Sequence, residues 1–166
     1  MNEFIEQFLI ESRELVEQAS DDLLALERRP DDRERLDSAF RAFHTLKGAA
    51  GIVDFAAMAR AMHAAEDVLV ALRAGTGRVT TDLVSNCLAC LDQVVRWLDR
   101  MAADGEPPGD ADAAADAIVQ RLAGSSILAP AVAAPARAAG TGHPSRGPDT
   151  AGTRWPMIKP YAAPGY

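Results

Sequence analysis

Aromatic residues fill only 5% of the 166 positions, against a hydrophobic share of 48%. A core drawn from that pool rests on alanine and leucine, which favours closely packed helices. Long apolar runs are missing as well. None approaches the roughly 18 residues that a membrane helix needs, and the start, MNEFIEQF, is acidic, with neither the basic nor the apolar region of a secretion signal. A cytoplasmic protein with no membrane partner is expected. Positive charge is short too: 17 basic residues face 24 acidic ones, a net charge of -7. That balance argues against nucleic acid and against an anionic membrane surface as partners. Cysteine occurs twice, as Cys87 and Cys90 in the run CLAC. The pair has neither the two further ligands of a zinc site nor the strand-helix setting of a redox motif, so both are expected in the core. No Gly-rich phosphate loop of the GxxxxGK[ST] type is present, so the chain is not expected to bind ATP or to phosphorylate itself.

What is present divides near Gly124. The preceding residues carry a net charge of -10 and the remainder is net positive, with seven of the ten prolines. Residues 125–166 show no helical or strand period and are expected to form a linker or disordered tail. Residues 1–124 fall into five helical segments separated by proline and glycine. The first spans about residues 2–28, with Phe4, Phe8, Leu15, Ala19 and Leu26 as its apolar stripe. The second covers about 32–53, with Leu36, Ala39, Phe43, Leu46 and Ala50. The third follows Asp54, expected as its N-cap, and runs to about 74. The fourth starts near Thr81, and a break at GEPPG precedes a short fifth from Ala111 to Leu122. Long amphipathic helices joined by short turns predict an all-α, antiparallel up-down four-helix bundle, with the fifth helix packed on its side.

The second segment contains FHTLKGAAG, residues 43–51, where glycine is unexpected. Each glycine in a helix interior costs about 1 kcal/mol relative to alanine. With His44 set at zero on an ideal helix, Lys47 lies about 60° to one side, Gly48 about 40° to the other, and Gly51 within about 20°. The core stripe lies about 120° away. His44 is therefore expected at the surface, with Gly48 and Gly51 clearing space for a large partner. Lys47 is one of only two lysines, the other being Lys159. Where arginine is the usual cation, a lysine beside a histidine suits a site that attracts phosphoryl oxygens with a compact ammonium.

The third segment adds MHAAEDVL, with His63 and Glu66 at i, i+3. Folding the second and third helices into a hairpin about Val53 and Asp54 brings His63 and Glu66 level with His44. Glu66 is then placed to accept the Nδ1 proton of His44, leaving Nε2 with a nucleophilic lone pair.

These residues resemble the signature of histidine phosphotransfer domains, in which the histidine is followed by serine or threonine, an aliphatic residue, lysine and glycine. The resemblance is strongest to the N-terminal phosphotransfer domain of CheA-type chemotaxis kinases. It extends over about residues 1–124, through FIEQFLIESRELVEQ, RAFHTLKGAAG and the HxxE pair. It implies that His44 is the phosphoacceptor, Lys47 the nearby cation, Gly48 the clearance for docking, and His63 and Glu66 the hydrogen-bonding groups near the histidine. It also implies a histidine kinase catalytic domain and a response-regulator receiver domain as partners, no resident cofactor, and a monomer. Asp54 departs from the family, where glycine is common in this turn; an improved helix cap is the expectation. Two rivals compete. A metal site of His44, His63 and Glu66 lacks the paired Glu-x-x-His motifs and inward ligands of bundle di-metal centres. A purely structural interaction module leaves Gly48 and Gly51 without a reason.

Overall fold

Helices start where side chains capture the first free backbone amides, and three starts follow that rule. The Asn2 side chain accepts from the amide of Phe4, that of Asp32 from Arg35, and that of Thr80 from Leu83, each at 3.1 Å. The structure, a computed structural model, describes residues 2–125. Its helices are α1 (Glu3–Arg28), α2 (Arg33–Ile52), α3 (Ala56–Arg73), α4 (Thr81–Asp104) and α5 (Ala111–Ala123), with no strand among the described residues. Glycine closes α4: Gly105 takes a positive φ of 79°, which caps the helix at no steric cost.

α1, α2, α3 and α4 form the expected bundle, each packed on its sequence neighbour or, for α1, also on α4. The fifth helix is less peripheral than expected, since α3 packs more extensively on α5 than on α4. Arg60 of α3 ties that contact, reaching Asp112 at 3.1 Å and Asp116 at 2.9 Å. The folded part also extends through Ser125, whose hydroxyl accepts from the Asn86 amide at 2.7 Å. The remainder of the expected tail lies outside the described residues.

The second-helix stripe packs as expected, with Leu36, Ala39, Phe43, Leu46 and Ala50 all buried. Burying a side chain such as Phe43 contributes about 1.5–3 kcal/mol, so this stripe holds α2 in one rotational setting. Both cysteines are buried and unpaired in α4. Burial alone pushes the Cys87 thiol up to about 12, and the Cys90 thiol moves in the same direction for the same reason. Both are inert at neutral pH.

Two expectations fail. Phe4, placed in the core stripe of α1, is 51% exposed, because the stripe shifts to Phe8, Leu9, Ser12 and Val16. Asp54 does not cap α3; Phe55 occupies the N-cap position before Ala56 and provides no side-chain hydrogen bond. Asp54 occupies the left-handed region instead, with φ 54°. That backbone position explains why glycine suits this turn, and aspartate is among the few other residues that tolerate it.

Candidate functional site

The burial of Phe43 and Leu46 fixes which face of α2 turns outward, and His44 lies on that face with 60% of its side chain exposed. Gly48 and Gly51 continue the same exposed face. A Cβ added at either glycine would meet nothing within 4 Å. The bundle therefore has room for alanine at both positions and forgoes its helix stability.

Glu66 comes from the neighbouring helix, α3, and is only 8% exposed. Its Oε1 lies 3.0 Å from His44 Nδ1, and its Oε2 lies 2.6 Å from the Lys47 ammonium, an ion pair. Burial by itself raises the Glu66 carboxyl pKa, but the contacts and charges of Lys47 and His44 outweigh it and hold the group below its ordinary 4.5. Glu66 is thus ionised at neutral pH and can only accept hydrogen bonds. It follows that His44 Nδ1 donates to Glu66, an arrangement that leaves the lone pair of the neutral imidazole on Nε2. A neutral imidazole with a fixed tautomer and an open edge is a nucleophile. The same carboxylate lies where the positive charge would develop if Nε2 formed a bond.

Of the pair expected opposite His44, only Glu66 reaches it. His63 is 61% exposed and its Nε2 faces Asp67, one turn along the same helix, at 3.5 Å; it makes no hydrogen bond or ion pair to His44. The 60° offset between positions i and i+3 separates the two residues: Glu66 turns into the α2–α3 contact and His63 turns to solvent. Among the described residues, no group of three His, Cys, Asp or Glu side chains is placed to hold a metal ion.

Two further neighbours escaped the sequence reading. Phe40, one turn before His44, stacks on the imidazole with ring centroids 6.0 Å apart and an interplanar angle of 25°. Arg73, the last residue of α3, lies over the Phe40 ring at 4.2 Å. An aromatic residue at i−4 from the histidine was a visible signal for the first contact; nothing local signalled the second. On the α1 side of His44, Phe4, Phe8, Leu15, Thr45, Ala49 and Ile52 line a shallow apolar groove, with Ile52 69% exposed.

The model of the Hpt domain family matches residues 3–103. The sensor histidine kinase CheAY of Helicobacter pylori is 36% identical over 92 residues, covering 55% of this chain and 12% of that one. The chemotaxis protein CheA of Halobacterium salinarum is 34% identical over 110 residues, covering 66% of this chain and 16% of that one. The chain thus spans only a small part of the curated relatives it matches. A solution structure of the histidine phosphotransfer domain of CheA superposes with a TM-score of 0.63 at 35% identity, covering 71% of this chain and 90% of that chain.

Proposed function

The chain belongs to the Hpt domain family, and from that premise we propose that it is a phosphorelay intermediate whose phosphoacceptor is His44. In the first step Nε2 attacks the γ-phosphorus of ATP held by a separate histidine kinase catalytic domain. The N–P bond forms, the bond to the bridging oxygen breaks, and ADP leaves. The imidazole becomes cationic, and Glu66 offsets that charge through its bond to Nδ1. In the second step an aspartate carboxylate of a receiver domain attacks the same phosphorus, and the imidazole departs neutral at Nε2. This chain supplies the nucleophile and its position, while the partners bring the nucleotide and the acceptor.

The observation that carries the reading is the 3.0 Å contact between His44 Nδ1 and the buried, ionised Glu66, on an imidazole that is otherwise exposed. Gly48 and Gly51 support docking of a large partner over His44, since their missing side chains serve no packing need within the bundle. The apolar groove beside Thr45 and Ile52 extends that face for the receiver. Lys47, paired to Glu66, keeps the carboxylate ionised and places a cation within the site. We place the protein in the cytoplasm as a monomer, where ATP-dependent kinases and receivers operate; no described helix is long and apolar enough to cross a membrane.

The test is incorporation of acid-labile, base-stable phosphate from ATP with a histidine kinase catalytic domain, followed by mapping of the label. His44→Gln is expected to abolish labelling while leaving the helical bundle folded. Undiminished labelling of the variant would overturn the assignment.

A further inference from the structure

An imidazole with most of its side chain exposed samples several rotamers unless something holds the ring. Glu66 restrains one nitrogen of His44, and a single hydrogen bond still allows the ring to rock about it. The second restraint is the face of Phe40. The 6.0 Å separation and 25° interplanar angle describe an offset stack, within the range where aromatic pairs attract.

Phe40 is itself braced. The Arg73 guanidinium lies over its ring at 4.2 Å, and planar Arg suits that stacking as lysine does not. Arg73 Nε donates to Asp37 Oδ1 at 2.7 Å, and Arg33 donates to the Arg73 carbonyl at 3.4 Å. A column of Asp37, Arg73, Phe40 and His44 therefore runs along the outer edge of the α2–α3 contact. Phe40 also packs against the core, but the ion pair that holds Arg73 in place is not needed for that. The Arg73 and Asp37 side chains are 41% and 49% exposed, and ion pairs so open to water add little stability.

We propose that Phe40, braced by Arg73, is a positioning residue that fixes the plane of the His44 ring, so that Nε2 meets the phosphoryl donor in line. This rests on the reading of His44 as phosphoacceptor. Glu66 selects which nitrogen reacts, and Phe40 sets the direction in which it points.

The experiment uses the full chain with Phe40→Leu, Phe40→Tyr and Arg73→Lys, and two readouts. The first, made without kinase or ATP, is proton NMR of the His44 ring: its ring-current shifts and its nuclear Overhauser contacts to residue 40. The second is the kcat and KM for phosphorylation by a histidine kinase catalytic domain with ATP. Phe40→Leu keeps apolar bulk but loses the flat ring. It is expected to abolish the ring-current shift and lower kcat about tenfold, as misplacement of a reacting atom does, with KM unchanged and the helical bundle still folded. Phe40→Tyr restores both readouts, and Arg73→Lys falls between. Phe40→Leu with unchanged kcat, Phe40→Tyr as slow as Phe40→Leu, or ring shifts that ignore the leucine each overturn the proposal. If wild-type His44 takes no label, the phosphoacceptor reading fails on its own, while the kinase-free measurement still decides whether Phe40 holds the ring.

Discussion

His44 and His63 are exposed almost equally, at 60% and 61% of their side chains, and each faces a carboxylate. The difference between the two regions lies in that carboxylate. Glu66 is nearly buried between two helices and ion-paired to Lys47, whereas the Asp67 side chain is 65% exposed and belongs to the same helix as His63. Water competes freely for Asp67, so an exposed pair of this kind contributes little. Exposure makes a histidine reachable. A buried anion from a second helix, kept ionised by its own cation, anchors one ring nitrogen and sets the tautomer.

Breaking the comparison at the histidines themselves should have the largest effect. His44→Gln is expected to remove all phosphoryl incorporation, while His63→Gln retains it nearly in full under the same kinase. Equal losses would mean that the pairing of Glu66 with His44 is not what distinguishes the two sites. Glu66→Ala comes next. Its phosphorylation rate should drop by about 10 to 100-fold, the cost seen when a metal-bound histidine loses the group that fixes its tautomer. NMR of the ring nitrogens would show the His44 proton redistributed between Nδ1 and Nε2, and Asp67→Ala would leave His44 unchanged. If Glu66→Ala labels at the wild-type rate, its orienting role is gone.

Gly48→Ala separates fold from docking on the His44 side. The substitution meets open space and should stabilise the helix by about 1 kcal/mol. For a domain of this size that raises the melting temperature by about 4 °C. Transfer to a receiver should nevertheless slow; a variant that is both more stable and undiminished in transfer would show that the glycine clears nothing.

The smallest effect is in acid. Glu66 is held below its ordinary 4.5, so its ionised form stabilises the folded chain fully above that value. That contribution is lost as pH falls through the lower folded-state value. The stability gap between wild type and Glu66→Gln, taken from denaturant melts, should be flat above about pH 5 and close at lower pH. A gap that stays constant into strong acid would contradict the sign.

The helical periodicity was legible because burial in a bundle repeats every three to four residues, and in α2 it identified five of the six buried positions from Leu36 to Ala50, omitting Ala42. It failed for Phe4, which lies one turn before Phe8 at the edge of the buried stripe of α1 and lines the open groove instead. Asp54 failed for another reason. Aspartate is equally at home as a helix cap and in a left-handed turn, and only the path of the chain between α2 and α3 selects the second. Trp97, between Val94 and Leu98 on α4, packs edge-on against Phe55 at 5.4 Å in the core. A wide apolar face admits an extra position that a narrow stripe omits.

The stretch FHTLKGAAG alone determined that a histidine, a lysine and two glycines share one exposed face, because the rotation of 100° per residue is a property of any helix. The glycines could be singled out there too, since their cost to the helix is local. Tertiary structure decided the partners. Whether Glu66 or His63 meets His44 depends on how far α3 is rotated and slid against α2. The brace of Arg73 on Phe40 joins residues on different helices in the same way. Those settings come from packing whole helix faces, which no local pattern encodes.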